Sequence, residues 1–516
     1  CTQPQGHSTS GSHERYKSKD RLEWEKEYDC IERMAAWMIN AGLASHEKIE
    51  GIREKARNAA REGKQRAWEA VQERPLQAKA TLTQWVEDSK SLDGMDQLAM
   101  EISSELKMQV IPSLSELVAL IRRLYYQLKL NDHSLSDEIK LWLNVTMAKA
   151  DQDYHTHLYS NTVNAATRID VKPAVYSEDS VNIPGYQILN QFFDEKMQEY
   201  PEMIAFGEDV GQIGDVNQGF AGLQEKYGKE RVFDTGIREW SIMGQAIGTA
   251  MRGFRPIAEI QYLDYLIYGL EPLSDDLATL RYRSNGQQSA PAIIRTRGHR
   301  LEGIWHAGSP MGMIVNSLRG MYVCVPRNMV QAAGMYNTLL KADDPALVIE
   351  PLNGYRIRET RPDNLNTFCV PLGSPEVLQE GSDITLVTYG SCVRVAQKAI
   401  ELLEPFDISI ELIDVQTLLP FDMESVIVHS IKKTNRVLFL DEDVPGGGTA
   451  YMMREVLETQ GGYQYLDSAP QTISAHAHRT PFGSEGDYFT KPNAEDIVEK
   501  VVGIMREVMP DNYPEL

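Results

Sequence analysis

Cysteine, cationic charge and long apolar runs are all scarce in this chain, and each scarcity removes a class of protein. Only five cysteines occur in 516 residues (Cys1, Cys30, Cys324, Cys369 and Cys392), odd in number, scattered and without a CxxC pair. Such usage excludes a disulfide scaffold and a zinc ribbon, and it implies reduced thiols in a cytoplasmic setting. Lys and Arg number 52 against 74 Asp and Glu, for a formal net charge of −22. A surface this acidic repels phosphate backbones and anionic lipid, so neither nucleic acid nor membrane is expected as a partner. No apolar run is long enough to span a bilayer, and no basic-then-apolar signal pattern is seen.

What is present is a globular composition, 42% hydrophobic and 24% charged, in a chain long enough for three or more structural units. Four regions are expected. Residues 1–76 open with a polar Ser/Gly/His loop and continue as helices. Asp29 with Glu32 caps a helix that closes at Gly42, and Ser45 opens a charged one running to about Ala70. Residues 77–180 are a helical connector. Its Ser113–Glu116 capping box precedes a core stripe of Leu114, Leu117, Val118, Ile121, Leu124, Tyr125 and Leu128. In residues 181–360 short strand runs (IAFGED, RPIAEI, APAIIRTR, MYVCVP, ALVIEP) alternate with helical stretches, predicting a parallel-sheet α/β domain. Residues 361–516 repeat the alternation with DITLVTYGS, ISIELIDV and RVLFLDED and make a second α/β domain.

The stretch Arg231–Pro256, RVFDTGIREWSIMGQAIGTAMRGFRP, passes from a strand through Asp234-Thr235-Gly236 into a helix rich in Gly244, Ala246, Gly248 and Ala250. Each helix glycine costs roughly 1 kcal/mol against alanine, so a close neighbour to this backbone, a helix or a ligand, is expected. Glu239 stands at the helix entry, where a carboxylate by itself does no more than complement the helix dipole.

Taken with IAFGEDVGQIGDVNQGF upstream and EIQYLDY and GIWHAGSPMG downstream, this stretch resembles the beta-type half of the thiamine-diphosphate-dependent 2-oxo acid dehydrogenases, from about Val181 to Val502. The resemblance implies a transketolase-like pyrimidine-binding domain and a C-terminal transketolase-like domain behind an all-helical region. QGHSTSGSHERYK and the helices after it resemble the end of the alpha-type subunit, implying two halves fused in one chain. By resemblance His7 is a site residue at the active-site mouth, and Ser8 sits in a loop that some relatives phosphorylate. Gln3 and Gly11 stand where relatives carry a basic and an acidic residue, a departure that bears on how this loop is ordered.

The resemblance also assigns roles. Glu239 is the carboxyl that donates to the cofactor's aminopyrimidine and promotes its imino form, a role that a raised pKa would suit. Glu208 is a second carboxylate near the cofactor, Ile237 lines its site, and Gln261 and Tyr265 pack on the pyrimidine. His306 serves acyl transfer to a lipoyl arm, where a proton source near neutrality is needed. Relatives read His-Ser-Gln where this chain reads His306-Ala307-Gly308.

Three further motifs have structural readings. Pro445-Gly446-Gly447-Gly448 is a strand-to-helix turn lacking dinucleotide-binding spacing. His476 and His478 form a surface strand end without a third metal ligand. Gly214-Asp215-Val216 is a loop, not the Gly-Asp-Gly motif by which the family holds Mg²⁺. The Mg²⁺ and diphosphate ligands are therefore expected outside this sequence, in an N-terminal alpha-type part that the chain is expected to lack, and no metal ligand is assigned within it.

The expected activity is oxidative decarboxylation of a 2-oxo acid, with acyl transfer to the lipoyl-lysine of an acyltransferase component. GHSTS and the charged helix after it favour a branched-chain substrate, 3-methyl-2-oxobutanoate. The alternatives are a pyruvate or acetoin dehydrogenase component, or a non-catalytic assembly module. A homodimer of the fused chain is implied.

Overall fold

A computed structural model describes residues 2, 3, 6, 12–299 and 306–516. His7 and Ser8 lie outside the described residues. The chain forms two compact units, Cys1–Asp153 and Tyr154–Leu516.

The first unit is helical. The helix Cys30–Asn40 is capped by Asp29, whose carboxylate accepts the Ile31 and Glu32 amides. The next helix, His46–Ser89, runs well past the end expected near Ala70, through Pro75. Packing explains the extension: from Pro75 onward the helix buries Ala78, Leu82, Trp85 and Val86. These pack against the helices Asp96–Met108, Leu114–Leu130 and Leu135–Tyr154, whose Ile102, Leu117, Ile121 and Leu124 share the same apolar cluster. Tertiary burial here outweighs the roughly 3 kcal/mol that a helix-interior proline costs. The Ser113–Glu116 capping box is formed, and Leu117, Ile121, Leu124 and Leu128 are wholly buried.

Among the described residues the second unit contains fourteen strands. The first seven are β1 (Asn182–Pro184), β2 (Met203–Gly207), β3 (Val232–Asp234), β4 (Arg255–Tyr262), β5 (Ile293–Gly298), β6 (Tyr322–Cys324) and β7 (Ala346–Pro351). The others are β8 (Arg358–Thr360), β9 (Glu376–Gln379), β10 (Ile384–Thr388), β11 (Ile410–Asp414), β12 (Thr417–Leu419), β13 (Val437–Leu440) and β14 (Gln471–Ile473).

Two α/β domains result. The sheet of the first has the order β12-β6-β7-β5-β4-β2-β3, parallel except for the edge strand β12. The second has β14-β13-β10-β11-β9, parallel except for β9. β2 and β7 are buried along their whole length, as strands covered by helices on both faces must be. The domains are interlocked. β12 belongs in sequence to the second domain yet pairs with β6 of the first. One apolar cluster unites Ile242, Met243 and Ile260 of the first domain with Tyr389, Ile413 and Phe439 of the second. Among the described residues no helix is long and apolar enough to cross a membrane, and Cys30, Cys324, Cys369 and Cys392 are free thiols.

Candidate active site

Side chains with ligand-binding potential collect where β2, β3, β4 and β5 end, at the carboxyl edge where open parallel sheets bind ligands. Glu208 follows β2 directly. Asp234 closes β3, and five residues later Glu239 begins the helix Glu239–Met251. Gln261 and Tyr262 end β4, and the short helix Leu263–Tyr268 then carries Asp264 and Tyr265.

Glu208 is half-buried. Burial, together with the charges of Glu239, Asp209 and Glu259, raises its pKa above the usual glutamate value. The same two glutamates reach Tyr265, whose hydroxyl is pushed up by burial and by Tyr262, Asp264, Glu208 and Glu239. Glu208, Glu239 and Tyr265 therefore belong to one electrostatic neighbourhood. Gln261 turns its amide to Asp209, donating from Nε2 to Oδ2 at 2.9 Å. Ile237 is 81% exposed beside Trp240, itself 55% exposed.

His306 lies in an aromatic corner. Its ring stacks on Tyr262 with centroids 4.0 Å apart and meets Tyr265 edge-on at 5.4 Å. Its buried Nδ1 has no hydrogen-bond partner among the described residues. Gly308 is held closely against Asp264. Gly308 donates its amide to Asp264 Oδ2 at 3.0 Å, and a Cβ at Gly308 would fall on that carboxylate. Tyr262 and Asp264 escaped the sequence reading. Their place in EIQYLDY, directly at the end of a strand, was the available signal.

Among the described residues, one group has metal-ligand composition: His299, Cys392 and Asp441, all buried. His299 Nδ1 accepts the Ser391 amide at 3.0 Å, which places the ring proton on Nε2, 2.7 Å from Asp441 Oδ1. A histidine ligating a metal through Nε2 needs an acceptor at Nδ1, and here a donor faces it. His299 is thus a buried hydrogen-bonding residue at the domain seam, in the loop that follows β5. His476 and His478 are exposed, with ring centroids 5.7 Å apart.

Asp215, read from sequence as part of a loop, does lie in one, and it is wholly buried there. Its carboxylate pairs with Arg295 at 2.9 Å and Arg297 at 2.8 Å. Burial pushes its pKa up, but the Arg297 and Arg295 charges prevail and hold it below the usual aspartate value. Glu259 and Glu350 complete this network.

Comparison with known proteins follows the same geography. Residues 183–357 match the transketolase pyrimidine binding domain family, and residues 373–497 match the transketolase C-terminal domain family. The pyruvate dehydrogenase E1 component subunit beta of Acholeplasma laidlawii is 33% identical over 313 residues, covering 60% of this chain and 94% of that protein. This chain belongs to the family of 2-oxo acid dehydrogenase E1 beta subunits. Another family member, the 2-oxoisovalerate dehydrogenase subunit beta of Bacillus subtilis (strain 168), is 36% identical over 263 residues, 50% of this chain and 79% of that protein. A solved split-gene transketolase, titled as an inactive beta4 tetramer, shares the fold at 21% identity and a TM-score of 0.51, over 63% of this chain and 98% of that one. Both family matches lie within the second unit, where every candidate residue except His7 is found.

Proposed function

We propose that this chain provides the pyrimidine-side half of a thiamine-diphosphate-dependent active site that decarboxylates a 2-oxo acid and passes the acyl group to a lipoyl-lysine of an acyltransferase partner. The observation that carries the reading is the pairing of a raised, half-buried Glu208 with Glu239, beside His306 in its tyrosine corner.

The described residues suit the pyrimidine end of that cofactor. When bound, thiamine diphosphate would supply an acidic thiazolium carbon whose carbanion adds to the substrate's carbonyl. The protein's task is to hold a proton on a carboxyl facing the ring nitrogen. Sequence reading gives that task to Glu239. Burial and neighbouring charge, Glu239 first among the charges, raise the pKa of Glu208 and make it the second candidate for it. Tyr265 offers an aromatic face, and Gln261 anchors Asp209 at the rim. His306, with Nδ1 uncommitted, is placed to exchange a proton during acyl transfer. No described residue is assigned to Mg²⁺ or the diphosphate, because Asp215 is consumed by its arginines. We assign those ligands, and His7, to an alpha-type part, of which residues 1–76 would be the end.

Gly244 and Gly248 face outward, and no described atom lies within 4 Å of a Cβ built on either. The close neighbour expected for this helix is thus not supplied by the described residues, which favours a second copy of the chain covering it.

The substrate is proposed to be branched, 3-methyl-2-oxobutanoate over pyruvate or acetoin. Turnover of both 2-oxo acids with an artificial electron acceptor tests this, and a clear preference for pyruvate overturns it. Zero turnover with cofactor bound would favour a non-catalytic assembly module.

A further inference from the structure

β13 ends at Leu440, and the next three residues are all acidic and all buried: Asp441, Glu442 and Asp443. Each reaches across the domain seam to a different point of the chain flanking His306. Upstream of that histidine, Asp441 Oδ1 takes the Nε2 proton of His299 at 2.7 Å. Downstream, Glu442 Oε1 accepts from Ser309 Oγ at 2.5 Å, and Asp443 Oδ2 accepts the Gly312 amide at 2.9 Å. A second tether runs parallel to these. Arg479 of the C-terminal domain donates to Asp264 Oδ1 at 2.8 Å, while Oδ2 of the same carboxylate holds Gly308.

We propose that Asp441, Glu442 and Asp443 form a positioning clasp that sets the place of His306 from the opposite domain. The proposal rests on the reading of His306 as the acyl-transfer residue. Cohesion alone does not require the clasp, because the seam already shares a large apolar cluster and burying carboxylates is costly. What the carboxylates add is direction, since a hydrogen bond fixes its partner in a way that apolar contact does not. The glycine turn after the acidic run is shaped to seat it. A Cβ at Gly447 would fall on the Asp443 carboxylate, one at Gly448 would meet the Asp441 carboxylate, and the Gly448 amide donates to Asp443 at 3.1 Å. On the His299 side, the Ser391 amide fixes the tautomer, and Ser391 Oγ donates to the His299 carbonyl at 3.0 Å. None of these groups touches the reacting atoms in this scheme.

The test is a double-mutant cycle in the holoenzyme between Asp441→Ala and His306→Ala, reading complex turnover and single-turnover decarboxylation separately. Asp441→Ala is expected to lower complex turnover about tenfold more than decarboxylation, and to cost nothing further once His306 is alanine. Asp441→Asn, which keeps an acceptor for the Nε2 proton, should restore turnover, and Ser309→Ala should give the same signature more weakly without threatening the fold. Effects that multiply with His306→Ala, or no rescue by asparagine, overturn the clasp. If His306→Ala changes neither rate, the acyl-transfer reading falls. The clasp is then decided by histidine NMR of the full chain: a His306 ring signal that shifts in Asp441→Ala but not in Asp441→Asn sustains it, and an unmoved signal rejects it.

Discussion

Two groups of charged side chains lie around the carboxyl ends of the same strands, and they are completed in opposite ways. In the first, Arg295 and Arg297 meet Asp215, Glu259 and Glu350, all essentially without solvent exposure. Every oxygen of the three carboxylates receives at least one donor, with Tyr336 and Tyr355 supplying the last two on Glu350. In the second, Glu208 is half-buried beside like charges, and His306 keeps a buried nitrogen without a partner among the described residues. A network in which every carboxylate oxygen is matched, although Arg297 Nε has no partner among the described residues, holds the 209–220 loop against the sheet. A group left incomplete, at a strand end open to ligand, has capacity to spare for chemistry.

The sharpest way to break this contrast is to neutralise one acid in each group. Glu208→Gln cannot donate and reprotonate as an acid does, and it should slow thiazolium proton exchange by about 10²–10⁴-fold while leaving the unfolding midpoint close to wild type. Glu239→Gln should cost less if Glu208 holds the proton, because it withdraws only a charge that raises the Glu208 pKa. Exchange at the wild-type rate in Glu208→Gln would remove that residue from the mechanism and return the role to Glu239. Arg295→Met should do the reverse. It leaves Asp215, Glu259 and Glu350 short of a partner and should cost about 3–5 kcal/mol of stability in denaturant titration. Its folded fraction should still exchange the thiazolium proton. Loss of exchange in fully folded Arg295→Met would show that the two groups are not separable.

His306→Ala sharpens the contrast from within the open group. With its role in acyl transfer, the substitution should depress overall complex turnover about 10²-fold and single-turnover decarboxylation far less. Equal losses would mean that the Tyr262–His306 stack is packing only.

These contrasts also show which features a sequence can carry. The strand runs, the Asp29 and Ser113 caps and the stripe Leu117–Ile121–Leu124 were legible because each is a local pattern with a fixed period or offset. Glu208, Glu239 and His306 were assigned through resemblance. Asp215 was not, because its partners Arg295 and Arg297 lie about eighty residues away and a left-handed residue after a glycine reads as a turn. The run Asp441–Asp443 gave no signal either, since three consecutive acids look like a solvated strand end until the opposite domain is in place. The long helix His46–Ser89 was read too short because the residues that extend it are buried only once the bundle is in place.

The smallest effect concerns pH. Burial, with the Asp441 charge, pushes the Asp443 carboxyl up to about 6, against amides of Gly312, Val444 and Gly448 that lower it. The neighbouring run adds Asp441 and Glu442, and His299 and Lys491 are the basic groups that face those two acids. An acid whose folded pKa is raised holds more protons folded than unfolded between about pH 4 and 6. Its contribution is therefore favourable at low pH, is lost as pH rises through the folded value, and stays flat above it. A shift of this size corresponds to at most about 3 kcal/mol. Carboxylates held low, such as Asp215, work with the opposite sign, so the net curve of the wild type does not isolate Asp443. The difference between wild type and Asp443→Asn does. Denaturant titrations at half-unit steps from pH 4 to pH 7 should show the wild type losing about 2 kcal/mol relative to the variant, most of it between pH 4.5 and 6. A difference constant across that range would mean that Asp443 titrates as an ordinary surface aspartate, and that the seam holding His306 carries no buried charge at that position.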